Sequence, residues 1–196
     1  MRKILIIFAH PALQKSRVNK ILIQGLENME DVTFHDIYQA YPEMDIDISY
    51  EQGLIRRHDV IIFHHPFFWY STPSMLKEWQ DLVLEHGWAY GSSGNALKDK
   101  IFFNVITTGG QAEAYTEHGY NNFTIRQLLT AIEQTVNLCK MIFLPPYVVH
   151  GTHSITPAQV ENHRENYHRL IRLLRDEEPD IKKLRTLTYL NDFLTP

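Results

Sequence analysis

Three short stretches of this chain carry side chains and backbone that can do chemistry together. The first runs His64-His65-Pro66-Phe67-Phe68-Trp69-Tyr70-Ser71. Four consecutive aromatics offer a wall for a flat, apolar ring system. Any one of Phe67, Phe68, Trp69 and Tyr70 can equally plug the top of a core, because aromatics carry much of core burial; as a unit in a loop they read as a site. The second stretch is Ser16, Arg17, Val18 and Asn19. A hydroxyl, a guanidinium and the open N–H groups of a helix start together suit a phosphate. The third is Thr107-Thr108-Gly109-Gly110, whose small residues and exposed amides let a ligand lie against backbone.

Elements of predictable type position these stretches. Residues 60–63, Val-Ile-Ile-Phe, form a short continuous apolar run, the mark of a buried strand. The helix after the aromatic loop begins with Thr72 as cap and Pro73 at its first position, where a missing N–H costs nothing. Met75, Leu76, Trp79, Leu82 and Val83 then give it one apolar face. Residues 4–9 read as a central parallel strand, followed by a helix capped by Ser16 that carries Val18, Ile21, Leu22, Gly25 and Leu26. Residues 31–37 alternate like a lateral strand, and 49–57 form a short helix. A fourth strand spans 101–107, a helix 123–136, and a fifth strand 141–144 before Pro145-Pro146. Thr156 and Pro157 open the last helix, with Val160, Tyr167, Leu170, Ile171 and Leu174 as its apolar positions.

Five strands alternating with five helices predict an α/β three-layer sandwich around a parallel sheet, since each crossover supplies a covering helix. The flavodoxin-like strand order 2-1-3-4-5 fits five strands in about 175 residues. That order makes the first, third and fourth strands neighbours, so the three loops converge at the switch point. A ligand with a phosphate at one end and a flat polar heterocycle at the other would use all three, and flavin mononucleotide (FMN) has that shape.

Other chemistry is excluded more simply. The first strand ends in Ala9-His10-Pro11 rather than G-x-G-x-x-G, and no G-x-x-x-x-G-K-[ST] is present, so neither a firmly held NAD nor P-loop chemistry is indicated. Eleven histidines invite a metal reading. However, His64 and His65 are adjacent and point to opposite faces of a strand, His163 and His168 share no helical face, and His150-x-x-His153 lacks a carboxylate or cysteine partner. Ser16 and Ser71 are not in a G-x-S-x-G turn. The net charge is -4 and no basic cluster exceeds two residues, which argues against nucleic acid. The single cysteine, Cys139, permits no internal disulfide and reads as a small buried hydrophobe in a reducing cytoplasm. Neither a signal peptide nor a bilayer-spanning run is present in the sequence.

His10-Pro11 with Ser16 and Asn19, His65-Pro66 with residues 69–73 (Trp-Tyr-Ser-Thr-Pro), residues 86–91 (His-Gly-Trp-Ala-Tyr-Gly) and residues 107–110 together resemble the flavodoxin-like NAD(P)H:quinone oxidoreductases. Within that group the chain is most similar to the bacterial ancillary proteins of glutathione-regulated potassium efflux systems, a branch supported by Asp45-Ile46-Asp47 after Tyr41-Pro42 and by Pro145-Pro146. The resemblance covers about residues 1–175. It implies that His10, Ser16, Arg17, Val18 and Asn19 hold the phosphate and ribityl end of FMN, with FAD as the alternative cofactor. Phe67, Phe68, Trp69 and Tyr70 would wrap the ring system, and Thr107, Thr108, Gly109 and Gly110 would approach its polar edge with backbone N–H groups. Tyr115 stands five residues after Gly110, where mammalian members carry a hydride-transfer tyrosine. Their partner histidine comes later, and the candidates here are His118 or, by alignment, Tyr120 or Asn121. The implied reaction is ping-pong transfer of hydride from NAD(P)H through the flavin to a quinone, in a homodimer whose second subunit completes the site.

Two rivals share the fold. An electron-carrying flavodoxin would be smaller and more acidic. A regulatory flavoprotein would dock on a membrane potassium efflux transporter from the cytoplasmic side, its oxidoreductase activity secondary. Residues 1–176 form the expected FMN-binding domain. Residues 177–196, with Leu184, Leu187, Tyr189, Leu190, Phe193 and Leu194, form a tail that reaches a dimer or partner, or packs on its own domain.

Overall fold

A computed structural model describes residues 1–194. The strands are β1 (Ile4–Phe8), β2 (Val32–Asp36), β3 (Val60–Pro66), β4 (Ile101–Thr107), β5 (Ile142–Phe143) and β6 (Tyr147–Val149). They pair in parallel in the order β2-β1-β3-β4-β5, with β6 also on β4. The helices are α1 (Asn19–Leu22), α2 (Ile37–Ala40), α3 (Ile48–Arg56), α4 (Ser74–Val83), α5 (Ile125–Leu128), α6 (Thr130–Leu138), α7 (Pro157–Asp176), α8 (Ile181–Arg185) and α9 (Asn191–Leu194). The fold class and strand order are those expected.

Alternation along buried strands divides the core into two layers. Leu5, Ile7, Ile61, Phe63 and Phe102 face α3, α4 and α6, where Ile55, Leu76, Trp79 and Val136 are buried. Ile4, Ile6, Ile62, Phe103 and Val105 face α1 and α7, meeting Leu22, Tyr167, Leu170, Ile171 and Leu174. Each fully buried Leu or Ile contributes about 1.5–3 kcal/mol by leaving water. In the first layer Glu51 is fully buried. Its burial cost is offset by short bonds from His35 Nε2 at 2.7 Å, Tyr41 Oη at 2.6 Å and Trp79 Nε1 at 2.8 Å, and the carboxyl stays below its usual pKa. Cys139 is buried and its thiol is pushed up to about 11 by burial, so it is a hydrophobe.

Several elements depart from expectation for local reasons. The first helix stops at Leu22 instead of running through Leu26, and Gly25 takes a left-handed φ of 83° before a 3-10 turn at Leu26–Asn28. α4 starts one residue late: Pro73 is its cap and Thr72 makes no capping bond. The helix expected over 123–136 is two pieces, α5 and α6, with a Thr124–Gln127 capping box. β5 covers only two residues because Pro145-Pro146 follows, and neither proline can donate to the ladder; pairing resumes at β6. β3 runs on through His64, His65 and Pro66, which were expected in the loop. Thr156 and Pro157 open α7 with a full capping box, as expected. The described part of the tail packs on its own chain: Leu184 and Leu190 are fully buried, the Leu190 N–H donates to the Pro146 carbonyl, and the Asn191 carboxamide bonds both the N–H and the C=O of Val148. The rest of the expected tail, Thr195 and Pro196, lies outside the described residues.

Candidate functional site

The loops leaving β1, β3 and β4 meet at the carboxyl edge of the sheet, and two cavities lie among them. One, of about 370 Å³, is lined by His10, Ser16, Arg17, Val18, Asn19, Phe67, Phe68, Thr107 and Gly109, together with Lys15, Thr152 and His153. The other, of about 310 Å³, is lined by Phe67, Trp69, Tyr70, Gly110, Tyr115, Tyr120 and Asn121. Phe67 belongs to both.

The floor of the first cavity is a polar network that the alternation of strands creates. Asn19 is 2% exposed. Its amide nitrogen donates to Ser16 Oγ at 3.1 Å and Thr107 Oγ1 at 3.0 Å, while its oxygen accepts from His64 Nε2 at 3.1 Å. The Asn19 backbone N–H also reaches Ser16 Oγ, at 3.0 Å. Ser16 is thus tied to the first residue of α1 but is not its N-cap, which is Val18 with no side-chain capping bond. Because the Ser16 oxygen accepts both bonds, its hydroxyl proton is left to donate outward. Burial, with smaller pushes from His65 and His10, lowers the His64 pKa to about 3. His64 is therefore a neutral imidazole with its proton on Nε2, and its buried Nδ1 has no partner among the described residues. Burial likewise lowers the pKa of His10, whose Nδ1 accepts the Ala12 N–H and shapes the loop. Lys15 and Arg17 put positive charge at the rim, and Arg17 is anchored on the Ile155 carbonyl at 2.8 Å. A phosphate would meet a hydroxyl donor and two cations here.

The aromatic loop is held in a strained turn. Trp69 and Tyr70 both have positive φ, 47° and 62°, and the Ser71 N–H closes onto the Phe68 carbonyl at 2.9 Å. That is the type I′ pattern, which ordinarily uses Asn and Gly. Two aromatics in the left-handed region cost about 1–2 kcal/mol each. The turn leaves Trp69 93% exposed and sets Tyr70 Oη against Asn121 Oδ1 at 3.2 Å.

The β4 loop supplies the wall between the cavities. Thr108 is buried rather than lining either one; its N–H goes to Val149 O and its hydroxyl to Gly110 O at 2.8 Å. Gly109 and Gly110 keep N–H groups without an acceptor among the described residues, whereas the Thr108 amide is spent on Val149, which corrects the expectation that all four residues offer amides. A Cβ on Gly109 would lie 2.7 Å from His153 Nε2, so the bare backbone is what forms the wall. Tyr115 is buried beside Phe67 (ring centroids 6.2 Å apart) and His150 (5.7 Å). Burial raises its pKa, so the phenol keeps its proton at neutral pH. His118 is exposed and lines neither cavity, whereas Tyr120 and Asn121 line the second. The sequence reading missed Lys15, Thr152, His150 and His153. The His150-x-x-His153 pair, weighed only as metal ligands, was the available clue; the described residues hold no cluster of three metal-ligating side chains.

A family model described as flavodoxin-like fold matches residues 2–171, a span that contains all three loops. The chain belongs to this flavodoxin-like family. Among the relatives of this flavodoxin-like chain, the glutathione-regulated potassium-efflux system ancillary protein KefG of Serratia proteamaculans (strain 568) is 43% identical over 165 residues, 84% of this chain and 90% of that protein. The general stress protein 14 of Treponema denticola, solved in complex with FMN, superposes with a TM-score of 0.83 at 34% identity, covering 88% of this chain and 99% of that one. A structure from P. pentosaceus described as an NADPH-quinone reductase gives 0.78 at 32% identity, covering 86% and 96%.

Proposed function

We propose that this chain is an FMN-dependent NAD(P)H:quinone oxidoreductase. The observation that carries the reading is the pair of cavities joined at Phe67: one offers a hydroxyl and two cations, the other aromatic walls, and bare Gly109-Gly110 backbone lies between. FMN fits that sequence of environments. Ser16, Lys15 and Arg17 would hold its phosphate, Phe67, Tyr70 and Tyr115 would wall its ring, and the Gly109 and Gly110 N–H groups would face its polar edge, where preorganised donors stabilise developing negative charge. The FMN-bound relative favours FMN over FAD. The chemistry that the flavin supplies when bound is hydride acceptance and release; the protein supplies position and electrostatics. The protonated Tyr115 phenol is the group assigned to donate to a developing oxyanion of the quinone.

NAD(P)H and the quinone use the aromatic cavity in turn. Trp69 and Tyr120, 93% and 90% exposed, rim that cavity and Phe123 is exposed nearby, a patch of the kind covered by another protein surface. A second copy of the chain is the proposed cover, giving a homodimer. No helix among the described residues is long and apolar enough to cross a membrane, and the proposed location is the cytoplasm. The test is initial-rate kinetics of the FMN-loaded protein with NADH or NADPH against menadione. Parallel double-reciprocal lines are expected; intersecting lines or no turnover would contradict the reading.

A second reading is favoured by the KefG relatives: a regulatory flavoprotein that docks on a potassium efflux transporter, peripheral to the membrane. Tight FMN retention without menadione turnover would support it over the first.

A further inference from the structure

A further cavity of about 550 Å³ lies beside the loop that leaves β4, where Gln111, Ala112 and His150 line it. It sits between Gln111, the β6–α7 connection and the start of α7, and the tail closes it with Tyr189 and Asn191. The tail is fixed there by the Asn191 bonds to Val148, and it lies beyond the family match, which ends at residue 171. A line of rings joins the two sites: Phe67 to Tyr115 at 6.2 Å, Tyr115 to His150 at 5.7 Å, and His150 to Tyr189 at 5.8 Å.

The proton positions in this lining can be deduced. The Thr108 hydroxyl spends its one proton on Gly110 O, so at 3.3 Å it accepts from His150 Nδ1–H. His150 Nε2 is then a bare acceptor, and it is buried with no partner among the described residues. The same logic holds for His163. The Tyr147 hydroxyl donates to His163 O at 3.0 Å and accepts from His163 Nδ1 at 3.1 Å, which leaves its Nε2 an acceptor. Asn162 adds a carboxamide with no partner among the described residues, and among those residues no Lys, Arg, Asp or Glu lines the cavity. The occupant is therefore neutral where it touches these walls, carries N–H or O–H donors, and has a flat face for Tyr189. The volume lies within the range of small-molecule sites.

We infer that this cavity takes the adenosine end of the reduced nicotinamide dinucleotide whose nicotinamide enters the aromatic cleft. The adenine amine and ribose diol supply the donors, and a carboxamide such as Asn162 matches the adenine edge. The inference rests on the donor assignment made under Proposed function.

Two variants at exposed Asn162 test it: Asn162→Leu, which removes the carboxamide, and Asn162→Trp, which fills the cavity. With menadione as acceptor, the unsubstituted protein should show a KM for NADH at least tenfold below that for reduced nicotinamide mononucleotide, which lacks adenosine. Both variants should raise the KM for NADH about tenfold at unchanged kcat and leave the mononucleotide unaffected, the signature of lost uniform binding. Equal KM values for the two donors, or variants that treat NADH like the parent, would overturn the inference. Calorimetry with ADP-ribose on the FMN-loaded protein separates this from a failure of the oxidoreductase reading. Binding that weakens about tenfold in both variants supports the cavity even without hydride transfer, and absent or unaltered binding overturns it.

Discussion

Asn19 and His64 meet at 3.1 Å beneath the cavity proposed for the phosphate, the carboxamide oxygen accepting the proton of a fully buried, neutral imidazole. The contact fixes which way the Asn19 amide points, and so directs its nitrogen to Ser16 and Thr107. His64 is in this sense a positioning residue for the β1 loop. Asn19→Asp would put a carboxylate under the proposed phosphate site and remove the side-chain donor to Ser16 and Thr107, leaving only the backbone N–H on Ser16. FMN affinity should fall about a hundredfold, the scale of about 2–3 kcal/mol for a lost charge-assisted partner. Riboflavin, which lacks the phosphate, should bind as before. Equal losses for both ligands would show that Asn19 acts on the fold and not on the phosphate.

The buried His64 makes stability depend on pH. Its folded pKa, about 3, lies below the ordinary 6.5, so between those values the unfolded chain binds more protons. The stabilisation is complete above about pH 6.5 and is drawn down as pH falls toward 3. From pH 7 to pH 5 this one group should remove about 2 kcal/mol. Urea unfolding of the parent and of His64→Gln at both pH values measures it: the parent should lose about that much more than the variant. Identical losses would mean that His64 is not a neutral buried group.

The strained turn predicts an opposition between stability and activity. Replacing Trp69 and Tyr70 together, Trp69→Asn with Tyr70→Gly, installs the residues a type I′ turn prefers. Unfolding free energy should rise by about 1–2 kcal/mol while menadione turnover falls at least tenfold, because strain of this kind is retained where the presented side chains are used. A more stable protein with undiminished turnover would remove the aromatic turn from the site.

The fold was legible where one signal decided it. The apolar runs of β1, β3 and β4 and the Thr156–Gln159 capping box needed no partner to be read, and the α/β alternation gave the strand order. The misses came where a distant group decided the outcome. His64 and His65 look like loop residues until Asn19 and Asn104 arrive to satisfy them inside β3. The early stop of α1 at Leu22 follows from a left-handed Gly25 that helical spacing had counted as a face position. The candidate loops were visible as residue types, but the burial of Thr108 and the exposure of His118 were not. Both depend on how Val149 and the loop after Gly110 fold back, which nothing within the motif records.

Gly109 offers a narrower test of the wall between the cavities. Gly109→Ala places a methyl group 2.7 Å from His153 Nε2, an exposed side chain that can swing away. Unfolding free energy should change by less than about 1 kcal/mol, within the range for a site that can relax, while FMN affinity drops about tenfold. Adding His153→Ala should recover part of it. Unchanged affinity in Gly109→Ala would mean that the cofactor does not lie against this backbone.

The central claim is that three loops of this flavodoxin-like chain hold FMN in a site open to NAD(P)H. The measurement that addresses it most directly is the anaerobic absorption spectrum of the FMN-loaded protein before and after NADH or NADPH, then after menadione. The predicted result is a flavin spectrum that bleaches with the nicotinamide and returns with the quinone. A protein that fails to take up added FMN, or whose bound flavin stays oxidised with both nicotinamides, would contradict it.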